Sequence, residues 1–302
     1  MRAVPSIVGL CLIVCSLTSI AQDPWADFVV VWEPGIGGAP GYDDPQRSLG
    51  EPSRMSGLGI DPGVVSPFQP AWTPNELVSI GANGELVVGF DDWIMDDSGN
   101  PFGIDLIIFG NSGFIDGNSP MGTPNGLFGA DGGLIWVSED GEDWINVPGC
   151  FADDAWPTRG WMDSGPYDME SGIEPTDFLS PMDPAIPWSD SIGQPWSQLL
   201  ETYGHSGGGV GIDLQPLGLN RVKFVRISVP ADAFLAPEVD AIADVPPQQP
   251  ADLNGDEIVD VNDLLMLLES WGATGSDNPA DVDGNGVIDV ADLLLMLEAW
   301  TE

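Results

Sequence analysis

The chain contains very few basic residues. Its 302 residues include seven Lys and Arg against 48 Asp and Glu, which gives a formal net charge of −41. Because proteins bind nucleic acid through cations that neutralise its phosphates, this composition argues against a nucleic-acid partner. Attraction to an anionic membrane surface is disfavoured for the same reason. The charge instead predicts a strongly hydrated, self-repelling surface for most of the acidic side chains.

Histidine is almost absent, and this limits the catalytic chemistry. The single histidine, His205, lies in a Gly-rich turn, and no G-x-S-x-G elbow surrounds Ser206, so Ser–His–Asp catalysis is not supported. One histidine and so few cysteines cannot form a zinc site. No catalytic residue is therefore assigned. Glycoside hydrolysis needs only two carboxylates and stays open, although the many acidic residues single out no pair.

Long apolar runs are absent after the N-terminus. Residues 1–21 have a basic residue, an apolar core at 7–17 and small residues, Ser19 and Ala21, at positions −3 and −1 of a cleavage site after Ala21, which predicts a signal peptide and a secreted or cell-surface protein. The run is too short to cross a membrane, and a lipoprotein site at Cys15 is an alternative. Cleavage after Ala21 would also remove Cys11. It would leave Cys150 with no internal disulfide partner, either as a buried side chain or as an intermolecular link.

Residues 22–243 carry short runs of β-forming residues separated by Gly, Pro, Asn and Asp. Apolar and polar residues alternate in several of them, which is typical of half-buried strands. The expected strands are 28–32, 85–90, 104–109, 134–138, 144–147, 222–229 and 239–245. One helix is expected at 196–203, where apolar residues have helical spacing. The pattern predicts a mainly β protein with an antiparallel β-sandwich of the jelly-roll type.

Several sequence segments of this region are similar to those of a known group of domains. They are GIDLIIFGNSGF (103–114), LIWVSEDGEDW (134–144) and VKFVRISV (222–229). The order resembles that in β-sandwich domains of bacterial cell-surface proteins, with a galactose-binding-like or discoidin-like jelly roll. The resemblance implies a fold and leaves the function open.

The segment 148–208 is rich in Pro, Gly, Asp and aromatic residues. A connection of this length is uncommon unless it has a function or folds on itself. Its aromatic rings could stack on sugar rings, and Trp156, Trp161 and Trp188 are the candidate ligand-binding residues. Alternatively, these rings anchor the segment on the sandwich, because Trp and Tyr mostly contribute buried area.

A Pro-rich stretch, 244–250, is expected to be a linker to a C-terminal module at 251–302. That module is an internal repeat. ADLNGDEIVDVNDLLMLLESW starts at Ala251 and ADVDGNGVIDVADLLLMLEAW starts at Ala280, an offset of 29 (280 − 251). Such self-similarity indicates one structural unit used twice.

Each copy opens with oxygen-bearing side chains at loop positions 1, 3, 5, 9 and 12, the spacing of an EF-hand-like calcium loop. The expected ligands of the first loop are Asp252, Asn254, Asp256, Asp260 and Asp263, with the carbonyl of Ile258. Those of the second are Asp281, Asp283, Asn285, Asp289 and Asp292, with the carbonyl of Val287. Position 6, where the chain turns sharply, is Gly286 in the second loop but Glu257 in the first. We therefore expect two Ca²⁺ ions, with weaker binding in the first loop.

A helix is predicted after each loop. Apolar residues recur with i, i+4, i+7 spacing in both copies: Leu264, Leu268 and Trp271 in the first, and Leu293, Leu297 and Trp300 in the second. Each helix is therefore expected to bury this stripe against the other. The Asp91–Asp92 and Asp96–Asp97 pairs, outside the repeat, are further candidate calcium ligands.

The C-terminal repeat resembles a type I dockerin, which has two loop–helix calcium units with Asp at position 12. The resemblance implies a small all-α module that attaches the protein to a cohesin-like partner. Many cohesin-binding members carry Ser or Thr at loop positions 10 and 11, where this chain has Val261–Asn262 and Val290–Ala291. The expected function is a secreted, non-catalytic protein with calcium-dependent attachment and possible carbohydrate binding. The alternative is a glycoside hydrolase, or another polysaccharide-degrading enzyme, that carries a dockerin.

Overall fold

A computed structural model describes residues 23–154, 156–247, 251–254, 258–274, 278–282 and 285–301. Its thirteen described strands are β1 Phe28–Glu33, β2 Met55–Ser56, β3 Gly63–Val64, β4 Val78–Ser79, β5 Glu85–Met95, β6 Leu106–Gly110, β7 Gly113–Asp116, β8 Pro124–Phe128, β9 Gly132–Ser138, β10 Ile145–Asp153, β11 Val210–Ile212, β12 Arg221–Ser228 and β13 Glu238–Asp244. The α-helices are α1 Trp196–Tyr203, α2 Val261–Glu269 and α3 Val290–Glu298. The expected signal peptide at 1–21 lies outside the described residues.

Two antiparallel sheets dominate the fold. The larger has the strand order β1-β5-β12-β9-β10, and the smaller has the order β11-β6-β13-β4. In the larger sheet β12 is central and pairs with β5 on one side and β9 on the other, for example Val225 with Val88 and with Val137. In the smaller sheet Ile108 pairs with Val210 of β11 and Ile242 of β13. The prediction of a mainly β, antiparallel fold is confirmed.

Both sheets contribute to one apolar core. One cluster of fully buried residues contains Val88 and Ile227 from the larger sheet together with Ile108 and Ile242 from the smaller sheet. The arrangement is consistent with a β-sandwich, because each sheet places one apolar face against the other. We call residues 23–245 the two-sheet region.

Several elements match the sequence pattern, and some extend beyond it. Helix α1 has the predicted bounds, and β9 and β10 form the predicted hairpin, in which Asp140 accepts hydrogen bonds from the amides of Glu142 and Asp143. The predicted strand 144–147 continues to Asp153. It does so because a register shift between Asn146 and Phe151 accommodates Pro148 and Gly149, and the apolar alternation is lost there.

The start of the expected linker belongs to the sheet. Asp244 is the last residue of β13, and Val245 is buried and donates its amide to the carbonyl of Asp105. The Pro-rich character begins only at Pro246. No helix in the described part of the chain combines the length and the apolar character needed to cross a bilayer.

Candidate functional site

The two copies of the C-terminal repeat pair with each other symmetrically. The amide of Gly272, after α2, donates to the carbonyl of Ile288 at 2.9 Å, and the amide of Thr301, after α3, donates to the carbonyl of Val259 at 3.0 Å. Both donors and both acceptors are 29 residues apart (301 − 272 and 288 − 259), which is the offset of the repeat. Position 8 of each loop therefore lies beside the segment that follows the helix of the other copy. We call residues 251–301 the paired repeats.

A small core joins the paired repeats. The buried residues of this cluster are Ala251, Val259, Leu267, Ala280, Ile288 and Met296. Leu264 and Leu293 pack against it and are partly buried.

The predicted i, i+4, i+7 stripe is wrong for its last two positions. Leu268, Trp271, Leu297 and Trp300 are exposed. The helices are short and contact the core through positions i and i+3, and the loop residues Val259 and Ile288 complete the core.

The acidic residues at positions 9 and 12 fix the start of each helix. Asp260 and Asp289 are the N-caps of α2 and α3, and each forms a capping box with Asp263 or Asp292. The side chains of Asp263 and Asp292 are completely buried. Two buried carboxylates in a chain of this charge are costly unless donors or cations surround them.

Asp263 folds back onto the beginning of its own loop. One of its carboxylate oxygens accepts hydrogen bonds from the amides of Leu253, at 2.8 Å, and Asn254, at 3.1 Å. The other accepts from the amide of Asp260 at 2.8 Å. The position-12 carboxylate thus lies next to positions 2 and 3, which brings the two ends of the first loop together.

The second loop turns as predicted. Asp281, at position 1, accepts hydrogen bonds from the amides of Asn285, at 3.0 Å, and Gly286, at 2.7 Å. Gly286 has a φ of +86°, the left-handed conformation for which glycine was predicted at this position. The equivalent Glu257 lies outside the described residues.

The remaining expected ligands are distributed along the same loops. Asp252, Asn254 and Ile258 lie in the first loop, and Val287, which bridges to Thr274, lies in the second. Asp256 and Asp283 are outside the described residues. The donor set contains only carboxylate, amide and carbonyl oxygens, which fits a hard cation such as Ca²⁺ and does not fit zinc.

A second candidate site is a cavity in the two-sheet region. It has a volume of about 320 Å³ and lies between β10, β11 and the long segment 148–208. Trp156, Trp188 and Phe151 are among its aromatic lining residues, and Asp154 and Asp183 are its acidic ones. The structure therefore brings two of the three predicted tryptophans to one cavity. Trp161 lies elsewhere and donates its indole N–H to the carbonyl of Arg54.

Most aromatic residues of the long segment anchor it to the sheets. Trp156 is buried, with its ring 5.3 Å from that of Tyr203 and 6.2 Å from that of Phe114, both edge-on. The Tyr203 hydroxyl donates to the carbonyl of Pro157 at 2.8 Å. Among the described aromatic residues of the lining, Trp188 is partly exposed and Phe151 is exposed, whereas Trp156 is buried.

Sequence reasoning missed two arginines that hold this segment together. Arg159 is buried and donates to the carbonyls of Trp161, Met162 and Gly204. Arg54 donates to the carbonyls of Gly160 and Thr176. One indication of this role is present in the sequence, which is the rarity of basic residues. In so acidic a chain, the few arginines present are candidates for stabilising the fold.

Two described carboxyl groups with strongly raised pKa values lie outside the cavity. Burial raises the pKa of Glu238 and of Asp240 to about 7, but both residues lie in β13 and neither lines the cavity. Cys150 does line it. Burial and the charge of Asp154 raise the pKa of the Cys150 thiol, so it is protonated at neutral pH and is a poor nucleophile.

No protein-family model and no curated protein sequence matches this chain.

Proposed function

We propose that this is an exported, non-catalytic binding protein with two working parts. The paired repeats bind two Ca²⁺ ions as a dockerin-like all-α module and attach the chain to another protein. The two-sheet region, as a jelly-roll sandwich, presents a ligand site. The observation that carries the proposal is the reciprocal pairing of Gly272 with Ile288 and Thr301 with Val259, which makes two acidic loops equivalent.

Calcium binding is supported by the burial of Asp263 and Asp292 at position 12 of each loop. The backbone amides that donate to these carboxylates offset only part of their negative charge, and a bound cation would offset the rest. The ligands would be the described oxygen donors together with Asp256 and Asp283. Binding to the folded loops but not to the unfolded chain would stabilise the paired repeats.

Attachment is supported by apolar surface that the small core leaves exposed. Leu265 and Leu294, which are equivalent in the repeat, are 55% and 56% exposed. Leu268, Leu297 and Trp271 add to these faces. Because α2 and α3 carry no Lys or Arg, the partner would bind mainly through apolar contacts, and a cohesin-like domain is the kind of partner proposed.

Carbohydrate is the ligand class that best fits the cavity. Exposed ring surface at Trp188 and Phe151 can stack on a sugar ring, while Asp154 and Asp183 can accept hydrogen bonds from hydroxyl groups. A volume of about 320 Å³ is that of a small-ligand site. With two acidic residues and no basic residue among the described lining residues, the cavity favours neutral glycans over anionic ones.

The test for attachment is capture of the full chain on an immobilised type I cohesin in calcium and in EGTA. The proposal predicts capture in calcium, release in EGTA and loss of capture for Leu265→Asp with Leu294→Asp. Glu269→Gln with Glu298→Gln, on the same helices, is the matched control and should bind normally. Calcium-independent capture, or capture that survives the double Asp substitution, would contradict this mode of attachment.

The test for the cavity is a glycan array followed by calorimetry with Trp188→Ala and Phe151→Ala. Binding that weakens in both variants, without release of reducing sugar, supports the non-catalytic proposal. Release of reducing sugar that Asp154→Asn or Asp183→Asn abolishes would replace it with the hydrolase alternative.

A further inference from the structure

We propose that the two-sheet region holds its own Ca²⁺ ion, bound by Asp96, Asp105 and Asp213 at one end of the two sheets. This site is separate from the loops of the paired repeats. Each of the three aspartates offers a carboxylate oxygen, and these oxygens lie within 4.8 Å of one another.

The fold itself assembles these three residues. Asp96 directly follows β5 of the larger sheet, Asp105 directly precedes β6 of the smaller sheet, and Asp213 directly follows β11. Because β6 and β11 are antiparallel, with Leu106 opposite Ile212, the start of one strand and the end of the other meet. An ion here would connect the two sheets.

The separations match calcium coordination. Oxygens bound to Ca²⁺ lie about 2.3–2.6 Å from the ion, so any two of them are at most about 5 Å apart. The three carboxylates are within that limit without any movement of the backbone. All the candidate donors are oxygen atoms, which favours a hard cation over zinc or copper.

Asp105 is the fixed ligand of this site. It is completely buried, and its carboxylate accepts hydrogen bonds from the Asn100 side-chain amide at 2.7 Å and the Leu214 amide at 2.8 Å. Asp244, in β13, is close enough to add electrostatic repulsion. A buried carboxyl group among like charges either stays protonated or is stabilised by a cation, and a cation would favour the charged form.

No described Lys or Arg side chain supplies that cation. The ion pairs of the described residues join Arg47 to Asp44, Arg54 to Glu51 and Arg221 to Glu139. Arg159 is bound to backbone carbonyls, and Lys223 donates to the carbonyl of Asp91. Arg226 lies over the rings of Trp136 and Trp144.

Asn100 gives a second, independent indication of a missing ligand. Its side chain is 4% exposed, and its amide oxygen is buried without a hydrogen-bond partner among the described residues. Leaving such a buried acceptor without a partner is unfavourable. Because the amide nitrogen contacts Asp105, amide bond lengths place the oxygen within about 5 Å of that carboxylate. A cation held by the aspartates would accept this oxygen as a further ligand.

The experiment uses the full chain with the repeat loops inactivated by Asp252→Ala, Asp263→Ala, Asp281→Ala and Asp292→Ala. Calorimetry with CaCl₂ should then show one remaining site, and Ca²⁺ should raise the melting temperature of the two-sheet region. Adding Asp213→Asn, a partly exposed and isosteric change, should weaken this site about tenfold or more. Asp140→Asn, in the β9–β10 turn, is the control and should leave the calcium affinity unchanged, although it can lower the melting temperature because Asp140 accepts the turn amides of Glu142 and Asp143.

A second variant keeps the test decisive if calcium affinity is hard to measure. Asn100→Asp should lower the melting temperature in EGTA and widen the difference between EGTA and calcium, because it adds charge that only a cation can offset. Absence of any calcium response in the loop-inactivated chain would overturn the proposal. Unchanged affinity in Asp213→Asn, or an Asn100→Asp variant that responds to calcium no more than its parent, would overturn it equally.

Discussion

The two-sheet region and the paired repeats are built on different balances of forces. The two-sheet region buries a large cluster shared by both sheets, including Val88, Val225 and Ile242. The paired repeats bury only six described residues in their core, and two of these are alanines. Fully burying a side chain of Val or Leu size contributes about 1.5–3 kcal/mol, so the second core is weak.

The difference teaches where each region obtains its stability. A large core lets the two-sheet region tolerate buried polar groups such as Arg159 and Asp240. A unit of about 50 residues without disulfides usually needs a metal ion or a partner. The paired repeats fit that requirement, because their acidic loops can bind calcium and their exposed leucines can bind a partner protein.

The largest expected effect is on the second loop. Asp281→Ala with Asp292→Ala removes the position-1 and position-12 carboxylates, so calorimetry should show that the Gly286-containing site is lost. The two-sheet region should keep its β-sheet circular dichroism spectrum. If the variant retained every calcium site of the parent chain, the loop assignment would be wrong.

A large effect inside the two-sheet region is expected at Arg159. Arg159→Met leaves the carbonyls of Trp161, Met162 and Gly204 without their donor, and should lower the unfolding free energy by about 2–4 kcal/mol. Urea unfolding measures this. Arg47→Met is the matched control, because its ion pair with Asp44 is on the surface and contributes about 0–1 kcal/mol. Equal losses in the two variants would refute the structural role of Arg159.

A pH-dependent effect is expected at Asp240. Burial raises its pKa from 3.8 to about 7, so the folded chain holds a proton that the unfolded chain releases between these values. This contribution to stability is complete below pH 4 and is lost as the pH rises through 7, at up to about 1.4 kcal/mol per pH unit.

The neutral variant Asp240→Asn should therefore lose less stability than the parent between pH 4 and 7, at fixed calcium. Exposed Asp61→Asn should follow the parent curve. Parallel curves for the parent chain and Asp240→Asn would contradict the prediction.

The smallest effect is expected in the comparison of the two loops. Glu257→Gly should tighten the first calcium site about fivefold, because a non-glycine residue costs about 1 kcal/mol in the left-handed conformation that Gly286 adopts. Gly286→Ala should weaken the second site by a similar factor. An unchanged affinity in both variants would show that position 6 does not control binding.

The sequence pattern predicts local elements well where short-range chemistry decides them. The alternation at Leu86 and Val88 indicates β5, and the apolar spacing of 196–203 indicates α1 with its correct bounds. Gly286 is predicted at positive φ because few other residues adopt it. The strand order and the shared core depend on contacts between distant residues, so periodicity alone does not determine them.

The errors have physical causes that periodicity cannot show. Leu268 and Trp300 have helical spacing but are exposed, while the loop residues Val259 and Ile288 belong to the small core, and helical spacing does not show which loop residues take part in it. Trp161 and Trp188 belong to the same long segment but lie in different places, since Trp161 donates to the carbonyl of Arg54 whereas Trp188 lines the cavity, and such long-range contacts leave no periodic signal. The Asp96–Asp105–Asp213 cluster requires three strand ends to meet, which only the fold provides.

Amide hydrogen exchange of the full chain, in calcium and in EGTA, tests most directly whether calcium holds the paired repeats together. The amides of Gly272 and Thr301 report the pairing of the two copies, and those of Val225 and Ile227 report the two-sheet region. We expect the first pair to exchange about 100-fold faster in EGTA, while the second pair remains protected. Equal protection of Gly272 and Thr301 in calcium and in EGTA would contradict the account.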